Sequence, residues 1–273
     1  MSVSVRKIRR EFFLPLFLSV FVVICIAQLS AGMPEDIVLT PVAAYPHDEK
    51  AFTQGLFFDG GFLYESTGQY AQSTLRKVDP KTGQVLLHIN IPNRYFAEGL
   101  ALASGKIFQL TWRENMCFVF DKATLQKKDD FRYSGEGWGL TFDGEHLIMS
   151  DGSAVLKFLD PKTFKRKRKI DVLDKTVNTK KEIPVLNLNE LEYIHGEIWA
   201  NVWQTTKIVR IDPHRGKVIG WIEMAAFVPE QHKADTQNCV LNGIAFDAAT
   251  DTVYITGKNW NIMHVLKLTT DKR

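Results

Sequence analysis

The sequence predicts an all-β fold, a five-bladed β-propeller whose last blade is closed by a strand from the N-terminal side. Three observations predict it. Helical periodicity is nearly absent after residue 32, where short runs rich in Val, Ile, Phe, Tyr and Trp alternate with turn residues such as Gly60-Gly61, Asp79-Pro80-Lys81-Thr82-Gly83 and Asp143-Gly144. Five segments can be laid over one another: TQGLFFDGGFLYES, AEGLALASGKIFQLTW, GWGLTFDGEHLIMSDG, LNELEYIHGEIWANVW and LNGIAFDAATDTVYITGK. A spare strand-like segment, DIVLTPVAAYP, precedes the first copy.

In chain order, the first thirty-two residues stand apart. Arg6, Lys7, Arg9 and Arg10 precede an apolar run from Phe12 to Leu29, and the small residues Ser30, Ala31 and Gly32 follow. Basic, then apolar, then small is the pattern of a secretory signal peptide. An uncleaved membrane anchor is the competing reading, because the run is long. Residues 33–273 are then expected to be a single propeller domain, exported to the periplasm or the medium.

Each repeat holds an anchor residue, a small step, an apolar strand, a turn and a second strand. The anchors Gln54, Glu98, Trp138, Asn189 and Asn242 are separated by 44, 40, 51 and 53 residues. Four-stranded propeller blades run about 40–50 residues. Four copies continue into a third strand ending at an acidic turn, as in RKVDPKTGQVL and VRIDPHRGKVIGWI. The fifth reaches Leu268 with three clear strands, so DIVLTPVAAYP is expected to supply its fourth and close the ring. The stretch from 174 to 187 reads as a loop inserted between blades.

The chain's +3 charge belongs to its first thirty-two residues; without them thirty charges of each sign remain. That balance points away from a nucleic-acid partner. The cluster Lys165-Arg166-Lys167-Arg168-Lys169 has no interleaved aromatics and reads as a solvated loop or a charged edge strand. Cys117 and Cys239 could pair in an oxidising compartment, which geometry alone decides. No cysteine or histidine spacing suggests zinc.

Inner strands line a propeller's channel, so equivalent anchors should face one another. A second ring follows them: Trp112 after Glu98, Trp203 after Asn189 and Lys258 in the fifth copy. Phe52 and Phe96 lie two residues before Gln54 and Glu98. One carboxylate, one ammonium, three amides and several aromatics result. These residues could simply plug the channel, and Lys258 could be no more than the ion-pair partner of Glu98. A carboxylate under aromatic walls must nevertheless be paired or have a raised pKa, and either marks a candidate site.

The stretches YPHDEKAFTQGL, YFAEGLA, QLTW, GEGWGLTFDG, LNELEYI, IWANVW, LNGIAFD and ITGKNW carry a resemblance. From about Tyr45 to Leu268 the chain resembles the plant and bacterial type of glutaminyl-peptide cyclotransferase, the papaya-latex class. The resemblance implies conversion of N-terminal glutamine to pyroglutamate with release of ammonia, at a site in one mouth of the propeller. It implies Glu98 as the proton-transfer residue. It implies pocket aromatics at Phe52, Phe96, Trp112, Trp138 and Trp203, and polar pocket residues at Gln54, Asn189 and Lys258. Lys258 is the second expected catalytic residue, as a donor to a developing oxyanion. No metal or other cofactor is expected for the chemistry, while a non-catalytic cation in the channel stays open. The expected protein is a monomer acting on peptides or proteins that begin with glutamine. It would meet a membrane only through a retained N-terminal segment. Two other classes remain. A metal-dependent propeller hydrolase or lactonase could use Gln54, Glu98, Asn189 and Asn242 around a cation, although Lys258 and the bulk of Trp138 argue against it. A non-catalytic peptide-binding propeller would use the aromatic mouth alone.

Overall fold

A computed structural model describes residues 37–175, 181–235 and 238–270, so the expected signal segment lies outside the described residues. Strand β1 (Ile37–Pro46) comes first. The first blade follows: β2 (Thr53–Asp59), β3 (Phe62–Thr67), β4 (Thr74–Val78) and β5 (Val85–Asn90). The second is β6 (Ala97–Ala103), β7 (Lys106–Thr111), β8 (Met116–Asp121) and β9 (Lys127–Arg132). The third is β10 (Leu140–Phe142), β11 (Leu147–Met149), β12 (Val155–Leu159) and β13 (Arg166–Asp171). A short hairpin of β14 (Leu173–Lys175) and β15 (Glu182–Pro184) occupies the expected insertion. The fourth blade is β16 (Leu188–Ile194), β17 (Glu197–Val202), β18 (Lys207–Ile211) and β19 (Val218–Glu223). The fifth is β20 (Leu241–Asp247), β21 (Thr252–Gly257), β22 (Ile262–Thr270) and, outermost, β1, which pairs antiparallel with β22 from Ile37↔Thr270 to Pro46↔Ile262.

Burial runs from axis to rim. The inner strand β2 is buried from Thr53 to Phe57, whereas the outer strands β5 and β9 are mostly exposed. Five apolar clusters fill the seams between neighbouring blades. One joins Phe57, Tyr64 and Leu75 to Leu100, Ile107 and Phe118; the seam across the closure joins Leu56 and Leu63 to Ala245, Met263 and Val265. Each blade thus buries both faces of its sheet only when both neighbours are present.

The acidic turns share one chemistry. Asp79 Oδ1 accepts the N–H groups of Lys81 and Thr82 at 3.0 and 2.9 Å, and Asp121, Asp160 and Asp212 repeat the arrangement in the next three blades. Such a side-chain turn fixes the third-to-fourth strand reversal locally. The basic cluster falls on β13, an outer edge strand. Arg168 is its exception to solvation: its guanidinium lies 3.3 Å over the Phe158 ring and donates to the Pro213 carbonyl of the next blade. Both cysteines are free thiols, Cys117 buried in β8 and Cys239 in the connection to the fifth blade, so the pairing left open by the sequence is not made.

Between β1 and β2 the chain is strapped to both sides of the closure. His47 Nδ1 donates to the Trp260 carbonyl at 2.7 Å and Nε2 to Glu65 Oε1 at 2.9 Å. Thr53 Oγ1 donates to the same Glu65 oxygen, and Arg76 pairs with Asp48 at 2.7 Å. A carbonyl and a carboxylate both accept, so both ring nitrogens of His47 carry protons.

Candidate active site

The connection from each outer strand to the next inner strand lies at one end of the ring, where the inner strands start. The anchors sit at those starts. In four blades the pairing of first and second strands is bulged there, between Thr53 and Gly55, Ala97 and Leu100, Leu188 and Leu191, and Leu241 and Ile244. A bulge re-aims its side chain away from the ladder, here at Gln54, Glu98, Asn189 and Asn242. The next residue is glycine in four copies (Gly55, Gly99, Gly139 and Gly243) and Glu190 in the other. At Gly139 a Cβ would collide with the backbone of Asn189 and Glu190, so close approach of the inner strands requires glycine there.

One backbone bond fixes the second ring. The N–H groups of Trp112, Trp203 and Lys258 donate to the carbonyls of Phe96, Asn187 and Val240, each two residues before its blade's anchor, all at 2.9 Å. The equivalent residue in the first blade is Gly68, bonded to Phe52 at 2.8 Å. A Cβ at Gly68 would strike the Phe96 ring, so glycine makes room for that wall.

A pocket of about 250 Å³ results, lined by Phe52, Gln54, Phe96, Glu98, Trp112, Trp138, Asn189, Trp203, Asn238 and Lys258. All nine residues singled out in the sequence therefore line one cavity, together with Asn238. Asn238 lies in the long connection before β20, outside the repeat, where no periodic signal could mark it. The anchor Asn242 is not at the surface of the pocket. It stands behind Gln54, donating through Nδ2 to the Thr53 carbonyl at 2.9 Å and to Gln54 Oε1 at 3.4 Å.

Glu98 and Lys258 are both 4% exposed. Glu98 Oε1 accepts a 3.0 Å hydrogen bond from Gln54 Nε2. Burial pushes the Glu98 carboxyl well above the ordinary glutamate range; the Lys258 charge pulls it back, and the charges of Glu136 and Glu114 push it up further. Burial lowers the Lys258 ammonium to about 8, against the opposing pull of Glu98. Among the described residues the two do not form a direct ion pair, and Lys258 Nζ instead stands 4.7 Å from the centre of the Phe52 ring. A cation over an aromatic face keeps its N–H donors for a third group. The Asn189 Oδ1 atom is buried and has no partner among the described residues.

The aromatic walls are packed edge to face. Phe52 meets Phe96 at 6.1 Å, Phe96 meets Trp112 at 5.6 Å, and Trp138 meets Trp203 at 5.5 Å. Three rim residues that sequence reasoning passed over support them. Glu114 accepts from Tyr70 Oη at 2.8 Å and from the Phe96 N–H at 3.3 Å. Glu136 accepts from both Trp112 Nε1 and Trp138 Nε1. Glu136 had a signal: it lies two residues before the anchor Trp138, the offset of Phe52 and Phe96.

Glu98 is the one carboxylate among the pocket-lining residues, but others are buried behind it. Asn189 faces the pocket, as its alignment implies, but Glu190 and Glu192 are also buried along the inner strands. Glu190 accepts the N–H groups of Leu56 at 3.3 Å and Ile244 at 2.9 Å, tying the fourth blade to the first and fifth. Glu192 accepts from the Phe246 N–H at 3.0 Å. Burial raises both carboxyls, Glu192 to about 8.

A family model described as glutamine cyclotransferase matches residues 16–268. The chain belongs to the glutamine cyclotransferase family. A curated member, glutaminyl-peptide cyclotransferase of Arabidopsis thaliana, is 42% identical over 230 residues, 83% of this chain and 70% of the relative. The crystal structure of glutaminyl cyclase from Myxococcus xanthus superposes on this cyclotransferase-family chain with a TM-score of 0.78 and 35% identity, covering 88% of this chain and all of the other. The WD40 repeats of RRP9, at 9% identity and a TM-score of 0.52, share the propeller architecture alone, over 86% of this chain and 98% of that one.

Proposed function

We propose that this enzyme is a glutaminyl-peptide cyclotransferase, closing the N-terminal glutamine of peptides and proteins to pyroglutamate with loss of ammonia. The observation that carries the chemistry is the buried Glu98 beside a buried ammonium, in an aromatic-walled pocket of about 250 Å³. The α-amine attacks its own side-chain carboxamide carbon. A C–N bond forms to the α-nitrogen, the bond to the amide nitrogen breaks, and no co-reactant is consumed. Nucleophile and electrophile are already tethered, so holding the folded conformer supplies much of the rate.

Two proton movements remain. The attacking amine, with a free pKa of about 8, must be neutral, and the departing nitrogen must be protonated. One carboxylate raised toward neutrality can take the first proton and deliver the second, and Glu98 is that group in this proposal. Gln54 holds its Oε1 in place. The tetrahedral intermediate carries an oxyanion for Lys258, whose donors the Phe52 ring leaves free. Asn189 Oδ1 is an acceptor for a substrate N–H. The tryptophans exclude water, whose attack would give glutamate instead.

The test is ammonia release from a dipeptide beginning with glutamine, catalysed by purified residues 33–273 and repeated in excess EDTA. The reading predicts release in both. No release at all would overturn the activity, and loss on chelation restored by a divalent cation would replace it with metal-assisted chemistry. Export follows from the N-terminal pattern of residues 1–32, and N-terminal sequencing of the mature protein checks it: a first residue of Met1 would contradict a cleaved signal.

A further inference from the structure

The aromatic wall of the pocket comes in two runs of touching rings. Phe52, Phe96 and Trp112 form one, from the first and second blades. Trp138 and Trp203 form the other, from the third and fourth. A carboxylate joins the two runs: Glu136 Oε2 accepts Trp112 Nε1 at 2.7 Å and Trp138 Nε1 at 3.0 Å. Its other oxygen accepts Arg113 Nε at 2.9 Å, and the Arg113 guanidinium lies 3.7 Å over the Trp112 ring. Two indoles bound to one oxygen cannot turn independently. Burial alone would raise the Glu136 carboxyl, but the bonds from Trp138, Arg113 and Trp112 and the Arg113 charge hold it below the ordinary range, so it stays ionised.

We propose that Glu136 is a positioning residue of the cyclotransferase site, fixing Trp112 and Trp138 as one wall and placing a negative charge opposite Glu98. Three N–H donors converge on it, and an amide has one oxygen to offer where a carboxylate has two. The groups acting on Glu98 are the Gln54 amide, the Lys258 ammonium and the carboxylates of Glu136 and Glu114; Tyr70 and Tyr133 also feel its charge. Glu136 therefore acts in two separable ways, through hydrogen-bond geometry and through charge. Glu136→Gln keeps the size and loses the charge. Glu136→Asp keeps the charge and loses the reach.

The inference rests on the cyclotransferase reading, and the experiment separates the two. Wild type and both variants, as the full mature chain, are assayed for ammonia release from a glutaminyl dipeptide across pH, with thermal unfolding measured alongside. Both variants are expected to lose about ten- to a hundredfold in kcat/KM, the effect of one charged hydrogen bond or a slight misplacement of the substrate. In Glu136→Gln the acid limb of kcat/KM against pH should also move to lower pH, because a like charge no longer holds up Glu98. In Glu136→Asp that limb should stay where wild type has it. An inactive wild type would dispose of the cyclotransferase reading instead. With an active wild type, the proposal is overturned by Glu136→Gln retaining wild-type kcat/KM, by an unmoved acid limb, or by losses that only follow the folded fraction.

Discussion

At the scale of the residue, the pocket distributes its carboxylates by what they face. Glu98 accepts one side-chain amide and looks into the cavity, whereas Glu190 accepts two backbone N–H groups and lies outside the pocket lining. Glu98→Gln preserves shape and a hydrogen bond but cannot carry a proton. Turnover should fall by about 10²–10⁴-fold with little change in thermal stability. Glu190→Gln should do the reverse. It presents an NH₂ group to one of two buried backbone donors, which typically costs about 1–3 kcal/mol, while kcat stays within a few fold. Steady-state ammonia release and thermal melts on the two variants decide; the assignment fails if Glu190→Gln is the more damaging to turnover.

Lys258 gives the second prediction at this scale. An oxyanion donor is typically worth about a hundredfold or more, so Lys258→Ala should lose at least that in kcat. Wild-type kcat should decline as pH rises through about 8, where the buried ammonium gives up its proton. Lys258→Arg should recover part of the activity and lack that decline, since guanidinium does not deprotonate in this range. The same alkaline limb in wild type and Lys258→Arg would show that another group titrates.

At the scale of the element, the strap between β1 and β2 makes stability depend on pH. Burial lowers the His47 pKa, but the Glu65 charge and hydrogen bond, the Trp260 carbonyl and Asp48 raise it further, so the net shift is upward. Glu65 moves the other way: burial raises it, and His47, Arg76 and Thr53 together bring it below the ordinary value. A raised histidine stabilises fully below its unfolded pKa of about 6.5, and that contribution fades as pH climbs through the folded value. A lowered glutamate stabilises above its unfolded value, and its contribution fades as pH falls through the folded one. The strap should be strongest between these limits. The Tm difference between wild type and His47→Gln should then be larger at pH 6 than at pH 9, measured by calorimetry. A difference independent of pH would mean that His47 is neutral in the fold.

At the scale of the molecule, closure decides whether there is a site at all. The fifth blade takes its outer strand from residues 37–46, and Leu39 and Ile37 pack against the seam between the fourth and fifth blades. Removing residues 37–46 exposes the edge of β22, a ready template for unwanted pairing. The truncated chain should melt at a markedly lower temperature and aggregate, and a synthetic peptide of residues 37–46 should restore part of the loss. An unchanged Tm without β1 would show that the ring holds without the outer strand of its fifth blade.

The sequence by itself determined the number of blades, the closing strand, the acidic turns and nine of the ten residues that line the pocket. The reason is repetition. Five copies of one local pattern must place equivalent residues equivalently, so an alignment within the chain substitutes for coordinates. It also suffices to find Lys258 beneath the spacing shift of DAATD, because a single backbone bond to Val240 holds it in the ring with Trp112 and Trp203. What breaks the repeat became visible only in the folded chain. Asn238 reaches the pocket from a connection with no counterpart in other blades. Glu190 stands where four blades have glycine, and its meaning depends on two N–H groups brought to it from residues 134 and 54 positions away. Glu136 keeps the repeat's offset, but its bonds to indoles on two different blades are seen only in the folded chain. Whether Lys258 pairs with Glu98 or hovers over Phe52, and whether Cys117 meets Cys239, are likewise matters of distance between segments remote in sequence. Local pattern sets backbone conformation and burial, while hydrogen bonds across blades depend on where the closed ring brings distant side chains together.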